Sequence, residues 1–427
     1  MTTALLSSGT EVDLLLAVIS LIIILGYLSE VLFKKTRIPE VMILIVIGLI
    51  IAQTKLLPSS YIDTLRGLTP LFGSIALITI MYDGGKIIKL DKSLPSGLGY
   101  LLALADTVLP AIAMAAIMYF VFHWQLIYGA ILGTMLGETS TIMIAPLIKR
   151  LNISSKLYNM MLVEATFNSV FSILIFYLLL SVLGGTSMTA VNYAQYALTY
   201  ISVAVMVGIL GGFGWLFVQS FSKGARGYLA TIAIAFLLYA FVSFFNGAAV
   251  ITVLIYAIII GNSKIFNNYF KFNDNTETES SDVEQQIEFL VRTFFFVLLG
   301  LIAYVSLYYF IFAVAITGIL IILRKIEISA MMRKYDSRYK ELALSLIPRG
   351  LTAAVLGSIY LSSGYAYANT MFYIVFMVII ITNIVFSVTT SRASRKIEKA
   401  EAALKTSAGA KSDSGTALPQ QTGVLSL

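Results

Sequence analysis

The sequence predicts an all-α polytopic membrane protein of about thirteen transmembrane helices. Of its 427 residues 59% are hydrophobic and only 12% charged, and the mean hydropathy is +0.90. The charges gather in clusters separated by apolar runs of roughly 17–25 residues, the length that crosses ~30 Å of hydrocarbon as a helix. Basic clusters also alternate with gaps that hold few or no lysines and arginines, as the topology of an inserted chain requires.

Taken in order, the predicted spans are 12–33, 38–54, 64–88, 96–122, 126–149, 157–183, 191–221, 227–245, 247–263, 284–304, 306–325, 341–363 and 367–390. Lysines and arginines follow the odd-numbered spans: Lys34, Lys35 and Arg37; Lys86, Lys89 and Lys92; Lys149, Arg150 and Lys156; Lys223 and Arg226; Lys264 and Lys271; Arg324, Lys325, Arg333, Lys334, Arg338 and Lys340; then the basic tail from Arg392. The opposite side receives Lys55 and Arg66. Positive residues in short loops stay cytoplasmic, so the N-terminus is expected outside, the C-terminus inside, and the number of spans odd. Residues 1–397 read as one transmembrane domain with a cytoplasmic loop at 265–283, and 398–427, rich in Ser, Ala, Gly and Gln, as a disordered cytoplasmic tail. No basic n-region precedes span one, so no cleaved signal peptide is expected.

Composition excludes several function classes. The net charge of +7 follows from topology, with basic residues beside anionic lipid, and calls for no nucleic-acid partner. With no cysteine and a single histidine, disulfides, thiolate sites and multi-histidine metal clusters are excluded. His123 sits beside Trp124 at the outer end of span four and reads as an interfacial residue. Gly208, Gly211, Gly212 and Gly214 follow no strand and lie in a membrane run, so they serve close helix packing and bind no phosphate. No nucleotide loop or soluble catalytic domain is present, so the chain is read as no enzyme and no primary pump, and no cofactor is expected.

Ionisable groups deep in apolar spans are costly unless paired or wetted, and they mark pathways. Asp106, Glu138 and Glu164 are such acids, and Arg292 and Arg349 are the cations inside spans. Asp83, near the inner end of span three, is close enough in sequence to pair with Lys86, and Arg292 lies one turn beyond Glu288. Asp106 precedes Pro110 without a sequence-local partner, and a water-filled access path and a structural hydrogen bond are both open to it; Asp83 is the second residue that a possible access path would use. Counting from the closing cytoplasmic charge at ~1.5 Å per residue puts Glu138, Asn168, Glu164 and Arg349 at depths of roughly 16, 18, 12 and 14 Å. Polar groups of spans five, six and twelve thus share one plane. Glu164 and Asn168 also share a helix face.

Span five carries the polar run Gly137-Glu138-Thr139-Ser140-Thr141 ahead of Pro146, and span twelve carries Pro348-Arg349-Gly350. Both are expected to be broken helices, the device with which transporters expose backbone groups to ions at mid-membrane. If spans one to six and eight to thirteen are inverted repeats, five and twelve occupy matching positions.

These motifs, with Tyr82-Asp83-Gly84-Gly85, Glu164-Ala165-Thr166-Phe167-Asn168-Ser169, Arg292-Thr293-Phe294-Phe295-Phe296 before Gly300, and Pro348-Arg349-Gly350-Leu351-Thr352-Ala353-Ala354, give a sequence that resembles the NhaP-type monovalent cation/proton antiporters. The resemblance runs from span one to span thirteen. It implies an inverted-repeat antiporter fold, a homodimer, alternating access of a core against a scaffold, a structural ion pair between Glu164 and Arg349, and Asn168 steadying the crossing of spans five and twelve.

Two departures stand out. Where the family pattern has Asn-Asp in span six, this chain has Asn168-Ser169, and where it has Thr-Asp-Pro in span five, Gly137-Glu138-Thr139 stands here. With Arg349 committed to Glu164, Glu138 is left as a lone carboxylate that must hold a proton or a cation when its cavity closes. Glu138 is therefore the candidate cation and proton ligand, with Thr139, Ser140, Asn168 and Ser169 as neutral oxygen donors around a monovalent ion. A structural acid at the helix crossing is the competing reading of Glu138. The function expected is exchange of sodium, potassium or lithium for protons in the plasma membrane, supporting pH homeostasis. The alternative is a degenerate member of the fold acting as a passive cation channel or sensor, because the usual acid is gone.

Overall fold

A computed structural model describes residues 2–36, 40–54, 65, 67–88, 90, 97–151, 153–184, 190–221, 227–245, 247–270 and 281–413. Among the described residues the chain is all-helical, with no strand. The helices are α1 (Thr2–Thr36), α2 (Glu40–Gln53), α3 (Thr69–Ile87), α4 (Gly97–Phe122), α5 (Leu126–Leu136), α6 (Thr141–Arg150), α7 (Ser155–Gly184) and α8 (Ala190–Ser220). There follow α9 (Gly227–Phe244), α10 (Ala249–Gly261), α11 (Ser263–Phe270), α12 (Ser281–Ile302), α13 (Leu307–Met331), α14 (Ser337–Ser345), α15 (Leu351–Ser362) and α16 (Ala368–Asp413).

Among the described residues, six segments are long and apolar enough to cross a bilayer: Gly97–Phe122, Ser155–Gly184, Ile201–Ser220, Gln285–Ile302, Leu307–Met331 and Ala368–Ile397. Their outer faces carry large exposed apolar side chains such as Phe120, Leu210, Phe217 and Ile322. In water that would be an aggregation surface; against lipid tails it is the expected exterior. Shorter apolar helices fill the interior around α5, α10 and α15.

The helices pack in two groups. In one, α4 lies against α5 and α7, α13 against α4, α14 and α16, and α15 against α5, α7 and α16. In the other, α2 packs on α12, and α10 packs on α3, α8 and α9. Helix α3 joins the groups through its contacts with α12 and α15. The seam between α2 and α12 is made of backbone: a Cβ on Gly48 would lie 2.2 Å from the Val297 carbonyl, and one on Gly300 would lie 2.4 Å from that of Ile45. Small residues at such a seam let helices approach where no side chain fits.

Three boundaries differ from the sequence reading by six residues or more, the first being that α1 already begins at Thr2, ten residues ahead of the expected 12. Helix α13 runs to Met331, six residues past the expected end at 325. Its buried residues Ala313, Ile316, Thr317, Leu320, Arg324, Glu327 and Ile328 recur at helical spacing, so the inward stripe continues through the charges. Helix α16 continues to Asp413, which makes residues 398–413 of the expected tail helical; the run Glu398–Lys405 is rich in Ala, Glu and Lys, all strong helix formers. Residues 414–427 lie outside the described residues, as do Arg37, Lys55, Arg66, Lys89, Lys92, Lys223, Arg226 and Lys271 of the topology argument and 271–280 of the 265–283 loop, whose residues 265–270 belong to α11.

Candidate ion site

Residues 137–140 separate α5 from α6, and residues 346–350 separate α14 from α15. Pro348 lacks an N–H and disfavours helical backbone at the residue before it, while Ser and Thr compete with helix by local hydrogen bonding. The two non-helical segments cross in contact. The Ser140 N–H donates to the Pro348 carbonyl at 2.8 Å, and the Gly350 N–H donates to Glu138 Oε2 at 3.0 Å. A side chain on Gly350 would collide with Ser140, so only glycine lets the segments approach this closely.

The Glu138 carboxyl therefore sits at the N-terminus of α15, where unpaired N–H groups and the helix dipole favour an anion. The Ala353 N–H and the Thr352 hydroxyl face it as well. The Arg349 guanidinium donates through Nη1 to the Glu138 backbone carbonyl. Glu138 is thus not the lone carboxylate expected from sequence: a helix terminus holds its side chain and an arginine holds its main chain.

Side chains on two further helices fix the crossing backbone. Asn168 on α7 accepts from the Thr139 N–H at 2.6 Å and donates to the Gly137 carbonyl at 2.7 Å, clasping both neighbours of Glu138. On α16, Thr382 Oγ1 accepts from the Arg349 N–H at 3.2 Å, and Asn383 Nδ2 donates to the Arg349 carbonyl at 2.8 Å. Thr139 and Ser140 are buried in the segment itself, Ser169 is buried on α7, and Thr139 Oγ1 has no hydrogen-bond partner among the described residues.

The expected Glu164–Arg349 ion pair is replaced by another. Glu164 Oε1 lies 2.5 Å from Arg324 Nη2, and Arg324 Nη1 lies 2.9 Å from Asp106 Oδ2 and 3.3 Å from Glu327 Oε2. The same guanidinium donates to the Ala343 carbonyl on α14 through Nε at 3.2 Å and Nη2 at 3.1 Å. By sequence Arg324 belongs to the cytoplasmic cluster that closes span eleven. The added turn and a half of α13 puts it on the inward stripe instead, while its neighbour Lys325 stays exposed. Asp106, expected to line an access path or to be hydrogen-bonded, is ion-paired and buried.

Asp83 lies on α3 beside Lys86, 4.0 Å away, with the ammonium 5.1 Å from the Tyr82 ring. Arg292 meets Glu288 at 3.7 Å, as its spacing implied, and also Glu40 at 3.2 Å. His123 ends α4 in the left-handed region, φ 56°, and is exposed.

Four acids, Asp106, Glu138, Glu164 and Glu327, and two guanidiniums, Arg324 and Arg349, are buried together. Arg349 stands within electrostatic reach of Asp106, Glu138, Arg324 and Glu327. With every group ionised, four negative and two positive charges leave the core at −2, and Glu164 Oε2 and Glu327 Oε1 have no hydrogen-bond partner among the described residues. A low-dielectric interior does not carry such an excess unbalanced; the acids offset it by taking up protons or small monocations.

Long apolar helices, two crossing chain breaks and a buried surplus of carboxylates define a multi-pass membrane protein of the ion-transporter class. The chain belongs to the transmembrane sodium/hydrogen exchanger family, whose model matches residues 18–396. It is 23% identical over 303 residues to the low-affinity Na(+)/H(+) antiporter NhaS1 of Synechocystis sp., a match covering 69% of this chain. The chain spans 55% of that relative's length. Its fold is similar to that of the sodium proton antiporter MjNhaP1 from Methanocaldococcus jannaschii, solved at pH 8, with a TM-score of 0.73 and 19% identity, covering 91% of this chain and 99% of the other. A second structure of MjNhaP1, an electron-microscopy map, gives a TM-score of 0.63 at 18% identity, covering 95% and 99%.

Proposed function

We propose that this chain is a secondary transporter that exchanges a monovalent cation, sodium foremost, for protons by alternating access. The observation that carries the proposal is the buried surplus of carboxylates around a crossing where Glu138 caps a half-helix. A carboxylate there accepts a proton or a cation, one excluding the other, and that competition couples the two flows. Glu138 is the exchanging acid in this reading. Thr139 and Ser140 beside it, Ser169 on α7 and freed backbone carbonyls supply neutral hard oxygens for a desolvated ion. Asn168 holds the segment in place, and Asp83 and Asp106 are taken as structural acids in this reading, Asp83 beside Lys86 and Asp106 on Arg324.

The same reading takes α5 with α6, and α14 with α15, as the halves of broken spans five and twelve in a thirteen-span, inverted-repeat bundle. It puts the N-terminus outside and the C-terminus inside the plasma membrane, with a homodimer as the working unit and pH homeostasis as the role. Support for the orientation comes from the alternation of basic clusters.

The test is cation-driven proton movement in proteoliposomes, followed with a pH-sensitive dye during pulses of sodium, potassium and lithium. Exchange that disappears in Glu138→Gln and persists in Ser169→Ala supports the assignment. Unchanged exchange in Glu138→Gln sinks it.

A further inference from the structure

We propose that Thr382 and Asn383 on α16 are positioning residues of the ion site that act on Glu138 through the Arg349–Gly350 peptide. The inference rests on the reading of Glu138 as the exchanging acid.

The peptide between Arg349 and Gly350 is trans, so its C=O and N–H point in opposite directions. Its carbonyl accepts from Asn383 Nδ2 at 2.8 Å, and its N–H donates to Glu138 Oε2 at 3.0 Å. Asn383 and Glu138 therefore stand on opposite sides of one amide, linked in a single hydrogen-bonded chain. In a low dielectric each bond of such a chain polarises the next: a donor on the carbonyl makes the N–H a stronger donor to the carboxylate. Asn383 is buried and is anchored in turn, its Nδ2 also donating to the Ile379 carbonyl at 2.7 Å. Thr382 Oγ1 accepts from the preceding amide, that of Arg349, at 3.2 Å, so the two α16 side chains hold Arg349 at both of its peptide groups.

The arrangement repeats one already described. Asn168 on α7 accepts from the N–H after Glu138 and donates to the carbonyl before it. One clasp brackets the acid of the first chain break, and the other brackets the arginine of the second. Each comes from the second helix after its break in the chain order. The duplication fixes both halves of the crossing to rigid helices, and it sets the distance between the Gly350 N–H and the Glu138 carboxylate.

The proposal predicts an effect on the chemistry of Glu138 as well as on folding. Asn383→Ala removes the donor, and Asn383→Asp replaces it with an acceptor of the same size. Both weaken the Gly350 N–H as a donor, so the Glu138 carboxylate competes less well for sodium and gives up its proton at higher pH. The measurement is sodium-driven proton movement in proteoliposomes across a pH series and a sodium series, for the parent, both Asn383 variants, Thr382→Val and Glu138→Gln. The expected result is a pH profile displaced upward by roughly 0.5–1 unit, with an apparent KM for sodium changed by about three- to tenfold. Asn383→Ser, which keeps a shorter donor, should return part of the way and serves if the other variants insert poorly. A parent-like pH profile and KM in the folded fraction of Asn383→Ala, beside an inactive Glu138→Gln, overturns the positioning role alone. Exchange that survives in Glu138→Gln instead overturns the assignment on which the role depends.

Discussion

Glu164 and Arg324 meet at 2.5 Å across α7 and α13, and this pairing releases Arg349 to the chain crossing. Arg324 is the common partner of three buried acids, so its removal strands them all. Arg324→Met should cost at least the ~3–5 kcal/mol typical of breaking a buried ion pair from one side. Thermal unfolding and size-exclusion profiles in detergent would show it as loss of folded protein. The double variant Arg324→Met/Glu327→Gln should recover part of that loss, because one stranded charge goes with the cation.

Glu327 is the most weakly held of the three acids. Its single contact with Arg324 is 3.3 Å, made to the nitrogen that already serves Asp106, and its other oxygen has no hydrogen-bond partner among the described residues. Glu327→Gln is expected to leave stability within about 1 kcal/mol of the parent or to raise it, whereas Asp106→Asn, at the 2.9 Å contact, should lower it. A melting comparison of the two variants at neutral pH decides; a larger loss in Glu327→Gln than in Asp106→Asn would contradict the ranking.

The contact of Gly350 with Ser140 gives a compensation experiment. Gly350→Ala drives a methyl group into the Ser140 side chain and should cost roughly 1–3 kcal/mol, as overpacking usually does, with a fall in exchange as the crossing opens. Ser140→Gly in the same chain removes the atoms it strikes. Restored stability in the double variant, set against no restoration by Ser140→Gly when paired with an unrelated alanine substitution, would establish the close approach.

Outside the membrane helices, Asp336 caps α14: its Oδ1 accepts from the Arg338 N–H at 2.8 Å, and Arg338 pairs with it at 3.0 Å. The Arg338 side chain and this backbone N–H hold the Asp336 carboxyl down to about 2, below its ordinary 3.8. A lowered acid stabilises above its unfolded value and loses that contribution as pH falls toward the folded one. The contribution is therefore complete above about pH 4 and fades between 4 and 2. Asp336→Ala should remove this acid-side decline and lower stability at neutral pH by about 0.5–1 kcal/mol, whereas Asp336→Asn keeps the cap. Unfolding curves of the three proteins from pH 2 to 7 check both points.

The length of the apolar runs made much of the helical bundle legible, and the polar runs at Gly137–Thr141 and Pro348–Gly350 coincide with the non-helical segments between α5 and α6 and between α14 and α15. Glu138, Asn168 and Arg349 were identified because polar groups deep in apolar spans are rare. The partner of Glu164 was not, because Arg324 lies beside Lys325 at the end of an apolar run and reads as part of a cytoplasmic cluster. The heptad-like stripe through Leu320, Arg324 and Glu327 was the available signal: it points Arg324 inward and Lys325 outward. Glu327 was hidden by the same misplaced boundary. Thr382 and Asn383 were invisible for a different reason. Neutral residues in an apolar helix most often bond to their own backbone, as Thr382 also does at Val378, and only the fold shows that they reach another segment.

The glycine seam between α2 and α12 limits how the molecule can move. With carbonyl oxygens where side-chain atoms would otherwise lie, neither helix can slide or roll past the other without backbone striking backbone. The pair behaves as one beam, and any rocking motion must find its slip plane at softer contacts, between faces separated by whole side chains. On the alternating-access reading proposed above, a crosslink bridging α2 to α12 should leave exchange running, and one that staples either of them to α15 should stall it.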